Sequence, residues 1–202
     1  MRHLKAVLTG AATACLILTA VPAHAAESPS PSPSPSVGGT AGEHVLDLGR
    51  AHLATLKYTD EAAAVRDGYV ADTVCAADPE GSGAMGYHYV KESLIGSVDP
   101  TKPAALVYGT EKGPDGKRKL LALEWLVPDE DQDLTTAGDR PELFGLGFDG
   151  PMPGHSPGMP VHYDLHAWAY EPNPSGYFKP WNPNVTCPPG STTPPTTPPA
   201  SP

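Results

Sequence analysis

Prolines gather at the two ends of this chain and thin out between them, which confines where a fold can form. Of the 26 prolines in 202 residues, four alternate with serine in Ser28–Ser36 and seven fall in Pro188–Pro202. Proline has no backbone N–H and a fixed φ, so neither arm can build a helix or a sheet ladder. Residues 26–40 therefore read as an extended Ser/Pro-rich linker. Residues 188–202 read as a Thr/Pro-rich disordered tail of the kind found in wall-spanning or O-glycosylated stalks. What remains, 41–187, has the length of one globular domain.

The first 25 residues carry an address. Arg2 and Lys5 open the chain, an apolar run follows over 6–21, and Ala23-His24-Ala25 has the small-x-small form of a signal-peptidase site. The run is short for a bilayer span, and no later stretch is apolar over about 18 residues. The sequence thus predicts a secreted protein with no membrane span after cleavage. The formal net charge of -10 argues against a nucleic-acid partner, which calls for a basic face. Cleavage removes Cys15 and leaves two cysteines, Cys75 and Cys187. An even pair in an exported chain reads as one disulfide.

Within 41–187 the signals change from helix to strand. Val45, Leu46, Leu48, Leu53 and Leu56 recur near helical spacing, and Thr59-Asp60-Glu61 starts a second short helix that Gly68 closes. A helical pair over 43–57 and 60–67 is expected, capped in its second member by Thr59. Strands are expected over 69–75, 85–90, 104–109, 118–127 and 161–170. The turn Pro114-Asp115-Gly116 joins two of them as a hairpin. Residues 145–160, rich in Gly, Pro and Met, are expected to form an irregular loop. Helices first and antiparallel strands after give an α+β fold: an N-terminal helical pair followed by a mostly antiparallel sheet or partial barrel, with one disulfide.

Three of the histidines outside the leader crowd into 155–166. In His162-Tyr163-Asp164-Leu165-His166, positions i and i+4 share a face on helix or strand alike, so both imidazoles should stand side by side. On a strand, His162, Asp164, His166 and Trp168 form one face, and Val161, Tyr163, Leu165, Ala167 and Ala169 the other. His88 sits among aromatics in Gly86-Tyr87-His88-Tyr89-Val90. Glu124 is the lone carboxylate of Leu121-Ala122-Leu123-Glu124-Trp125-Leu126-Val127. A carboxylate in such a strand is costly to bury unless paired or bound to a metal. His88, Glu124, His162 and His166 are therefore the candidate metal ligands, with Asp164 as fifth ligand or outer partner. This N/O donor set suits copper or zinc, with manganese or iron as further options. Met152, His155 and Met159 in the neighbouring loop would add a soft set that favours Cu(I), or the methionines simply fill gaps. If there is catalysis, His155 and Asp164 are the acid/base candidates.

Other patterns point to no site. Asp129-Glu130-Asp131-Gln132-Asp133 begins like a calcium loop, but Leu134 stands where glycine is needed and Arg140 where glutamate is, so it reads as a solvated acidic turn. Trp168, Tyr177, Phe178 and Trp181 read as packing at the end of the domain, and His44 and His52 as bystanders. No nucleophile elbow, phosphate loop or dinucleotide fingerprint is present.

The stretches Met85-Gly86-Tyr87-His88-Tyr89-Val90, Leu123-Glu124-Trp125-Leu126-Val127-Pro128 and 148–168 together resemble a group of exported bacterial proteins, over most of 50–187. That resemblance implies export and no particular activity. The local His motif is also comparable to secreted zinc D-Ala-D-Ala peptidases and to cupins. However, the downstream Glu-x-x-His of the first and the His-x-His of the second are missing. Three functions fit the sequence: a secreted metal-binding protein, a metal-dependent extracellular hydrolase or oxidase, and a metal-free module whose partner is cell wall or glycan.

Overall fold

A computed structural model describes residues 39–155 and 158–191. The expected signal peptide, the linker up to residue 38 and the tail from residue 192 lie outside the described residues. Helix α1 spans Ala41–Thr55, and a single tight turn over Leu56–Thr59 leads into α2, Glu61–Arg66. Strands β1 (Val70–Ala77), β2 (Ala84–Val90), β3 (Ala105–Lys112), β4 (Arg118–Pro128), β7 (Asp149–Met152) and β8 (His162–Ala167) form one antiparallel sheet in the order β1-β2-β3-β4-β8-β7. Strands β5 (Glu142–Leu143) and β6 (Leu146–Gly147) make a separate two-residue hairpin. The fold is α+β, with an N-terminal helical pair and an antiparallel sheet curled into half a barrel. No helix of the described residues is long and apolar enough to cross a membrane.

Alternation along the strands divides the sheet into two buried faces. Tyr89, Leu106, Tyr108, Leu123, Trp125, Tyr163 and Leu165 point to the side where Ala51, Tyr58 and Ala64 of the helical pair pack. Tyr108 fastens the layers by donating its hydroxyl to the carbonyl of Tyr58 at 2.6 Å. The opposite face carries two smaller apolar clusters. Met85, Val107, Leu121, Ala122, Trp168 and Val185 form one; Ala104, Ala105 and Leu126, with Met159 against them, form the other. The first is covered by the C-terminal segment. Asn182 bridges to Ala84, and the Cys75–Cys187 disulfide, closing a separation of 112 residues, anchors its end.

Three expectations are corrected. Most of the expected apolar stripe does not pack: Val45, Leu46 and Leu53 of α1, and Leu56 just after it, are exposed, whereas Leu48 packs on the core and Ala51 and Thr55 are buried. Small residues let the helix approach closely, and Thr55 settles its hydroxyl on the Ala51 carbonyl and against the Tyr170 hydroxyl. The side-chain cap is at α1 rather than α2. Thr40 and Glu43 form a reciprocal capping box, while Thr59 turns its hydroxyl back to Leu56. Finally, residues 145–160 are not wholly irregular, because 149–152 add the edge strand β7. Proline and glycine are tolerated there because an edge strand needs only one row of ladder bonds.

Candidate metal centre

The strand register brings the site together. Glu124 on β4 lies directly opposite His166 on β8. On its other side, Ala105 of β3 separates Glu124 from Val90 of β2, two positions along from His88. Two-residue alternation then points His88, Glu124 and His166 out of the same face. Alanine at 105 and 122 keeps that face open between them. The three side chains offer ligand atoms that lie within 4.8 Å of one another. His88 Nε2 is 3.4 Å from Glu124 Oε2, and His166 Nε2 is 3.5 Å from Glu124 Oε1. The two imidazoles meet edge to face, with centroids 6.1 Å apart. This buried His88/Glu124/His166 cluster is capable of coordinating a metal ion.

Its polar atoms have been taken out of water without replacement. Glu124 Oε2 and both ring nitrogens of His166 are buried and make no hydrogen bond. Burial accordingly drives each group toward its neutral form. It raises Glu124 well above the usual carboxylate range, with Asp164 adding to the rise. It lowers His88 to about 4, together with the nearby His155. It pushes His166 well below the ordinary imidazole value, helped by His88, His155 and His162. Asp164 is raised to about 8 by burial and by Asp149, its cross-strand partner on β7. Its Oδ1 stands 3.9 Å from His166 Nδ1, on the side of the ring away from Glu124.

His162 does not join the trio. Four residues along a strand span roughly 13 Å, so sharing a face with His166 does not place the rings side by side. In register, His162 stands opposite Pro128, while His166 stands opposite Glu124. The His162 Nδ1–H donates to the Pro160 carbonyl at 3.2 Å, and Nε2 is buried without a partner. Its ring is in edge contact with His155 at 4.9 Å. His155 therefore sits beside the histidine face, as its sequence position suggested. Its loop folds tightly there: a Cβ on Gly154 would lie 2.0 Å from the Met159 carbonyl oxygen. The two methionines part company. Met152 lies on β7 opposite His162, and Met159 packs with Ala104, Ala105 and Leu126.

The remaining candidates take structural places. Trp168 is buried and donates its indole N–H to the Lys179 carbonyl. Phe178 packs on Phe144. His52 stacks on Tyr170 at 4.7 Å. One feature was missed: Asp129, read from sequence as part of a solvated turn, is 2% exposed. The alternation of β4 could have found it, since the strand continues inward for one residue past Pro128.

No family model matches this chain, and no curated protein or solved structure does either.

Proposed function

We propose that this is a secreted protein that binds one divalent transition metal, zinc or Cu(II), through His88, Glu124 and His166. The observation that carries the reading is a spacing. Zinc–nitrogen and zinc–oxygen bonds of about 2.1 Å at tetrahedral angles put neighbouring ligand atoms roughly 3.4 Å apart. The two His–Glu separations are 3.4 and 3.5 Å. Those lengths are too long for good N–H···O hydrogen bonds. They suit donors arranged around an ion better than donors bonded to each other.

The donors are two imidazoles and a carboxylate, with no thioether among them, which favours the divalent ions over Cu(I). The ion would repay the burial of Glu124 in its charged form and hold both histidines neutral, the forms that ligate. Asp164 then lies where an outer carboxylate orients a metal-bound imidazole. The proposed export rests on the leader-like first 25 residues and on the disulfide, since such bonds persist in oxidising compartments.

A second reading, metal-dependent hydrolysis, has one observation in its favour. Three protein donors leave a fourth position for water or substrate, as catalytic zinc sites do. The deciding experiment is elemental analysis of untagged protein, metal counted per chain, beside Glu124→Gln and His166→Ala. The expected result is one zinc or copper per wild-type chain and far less in folded Glu124→Gln. Equal metal in all three, or none in wild type after titration, overturns the proposal. A zinc-loaded protein inert toward peptide, ester and phosphate-ester substrates removes the hydrolytic reading.

A further inference from the structure

The chain that leaves β7 turns back onto the start of β8 and brings three donors to one end of the histidine face. His162 is 2% exposed. Its Nδ1 meets the Pro160 carbonyl, which can only accept, so Nδ1 carries the proton and Nε2 the lone pair. That Nε2 is buried and has no hydrogen-bond partner. A buried acceptor left bare is costly unless a donor or a cation meets it. Met152 is the cross-strand partner of His162 in the β7–β8 ladder. Directly opposed residues project from one face with Cβ atoms about 4.5–5.5 Å apart, well within the reach of a thioether. His155 comes to the same ring: the two imidazoles are 4.9 Å apart between centroids, with their planes at 76°. Metal–nitrogen bonds of about 2.1 Å at trigonal or tetrahedral angles set two ligating rings roughly 5–5.5 Å apart, so a small movement of either ring lets both reach one ion. The arm that carries His155 is pinned. A Cβ on Gly154 would lie 2.0 Å from the Met159 carbonyl oxygen, and the Met159 side chain packs with Ala104, Ala105 and Leu126.

We propose that Met152, His155 and His162 form a second metal site, for a soft monovalent ion of the Cu(I) class. A thioether with imidazoles is a donor set that selects Cu(I). The three donors are uncharged in their ligating forms, so nothing in the set offsets the charge of a buried ion. One positive charge costs far less to desolvate there than two. A divalent ion finds its carboxylate at Glu124 instead. Sequence position groups Met152 and His155 with Met159, but strand register puts His162 in place of Met159, whose thioether fills a gap in an apolar cluster. Copper in air is Cu(II), so the site fills only when reduced copper is supplied. It shares no residue with the His88/Glu124/His166 cluster, and each site can fail without the other.

The test is anaerobic titration of Cu(I) into full-length, chelator-stripped protein resaturated with zinc. A chromophoric Cu(I) chelator competes for the metal, and X-ray absorption at the copper edge reads its neighbours. The expected result is one Cu(I) per chain, bound by sulfur and nitrogen, with zinc retained. Met152→Leu, which keeps the packing, should weaken Cu(I) binding by about tenfold or more and remove the sulfur neighbour. His155→Ala and His162→Phe should weaken it by as much, while Met159→Leu and Glu124→Gln leave it unchanged. Should His162→Phe fail to fold, Met152→Leu combined with His155→Ala reads the same loss. No Cu(I) won from the chelator, or copper with only nitrogen and oxygen around it, overturns the proposal. So does Cu(I) binding that survives Met152→Leu with His155→Ala. Cu(I) that displaces the zinc, or is lost with Glu124→Gln, belongs to the His/Glu cluster and overturns it too. A chain that takes Cu(I) in this pattern but never takes zinc upholds this site and counts against the zinc reading of the other.

Discussion

At the scale of single residues, the site is defined as much by unmet bonds as by proximity. His166 is 1% exposed, yet neither ring nitrogen is hydrogen-bonded. In an ordinary core such a residue would be replaced by an apolar one or given a carbonyl, as His162 is by Pro160. That contrast yields a paired prediction. With Nε2 on an ion, His166 carries its proton on Nδ1, facing Asp164. Asp164→Asn keeps the shape and loses the charge, so metal affinity should fall by about 10–100-fold with one ion per chain retained. His162→Phe should leave affinity within a few-fold, because that ring stands opposite Pro128 and not opposite Glu124. Competition against a chelator of known affinity checks both. Equal losses from the two changes would mean that the register does not separate their roles.

At the scale of elements, the sequence carried the strands and their faces, and it failed where partners decide. The alternation of His162, Asp164 and His166 against Tyr163, Leu165 and Ala167 was legible because sheet periodicity is local. The coming together of His88, Glu124 and His166 was legible only as a set of residue types in similar settings. Which of the four candidates converge depends on strand order and register, which no local pattern encodes. The edge strand β7 was hidden by Gly150 and Pro151, which read as breakers when the neighbouring strand is unknown. The packing face of α1 was hidden for the same reason: its outward leucines looked like a core stripe until the sheet was in place.

Register also makes the site vulnerable from a distance. Gly86, two residues before His88, has φ +124°, and a Cβ there would lie 2.4 Å from the Tyr108 carbonyl oxygen. Gly86→Ala should push β2 off β3, costing on the order of 2 kcal/mol or more, and should weaken metal binding with it. Denaturant unfolding and metal titration of the same sample test the coupling. The disulfide acts on the cover rather than the ligands. Its 112-residue separation corresponds to about 4–5 kcal/mol in the chain-entropy account. Cys75→Ser with Cys187→Ser should lower Tm by roughly 10–20 °C. Metal affinity in the surviving folded fraction should be little changed, because neither cysteine lies among the ligands.

At the scale of the whole molecule, the buried cluster links metal, protons and stability. From about pH 7 to 8 His88 and His162 are neutral in the folded state and mostly neutral in the unfolded one, because burial holds them at about 4 against an ordinary 6.5. The carboxyls behave differently. Glu124 is raised well above its usual range and Asp164 to about 8, so folded metal-free protein keeps protons that the unfolded chain has already released. A raised carboxyl stabilises the fold below its unfolded value, and that contribution is lost as pH climbs through the folded one. Metal-free protein should therefore lose stability from about pH 7 to 8, by up to about 1.4 kcal/mol per pH unit for each carboxyl. Below about pH 7 the slope changes, because histidines held low in the folded state take up protons on unfolding and so favour it as the medium acidifies. A metal ion replaces the proton on Glu124, so zinc-loaded protein should show a flatter curve above about pH 7. The stabilisation that zinc confers should accordingly widen toward pH 8. Glu124→Gln, which has no proton to lose, should remove its share of the metal-free slope and most of the zinc effect together. Parallel Tm–pH curves for metal-free and zinc-loaded protein would show separate slopes if Glu124 is a ligand and coincident slopes if it is only a buried acid.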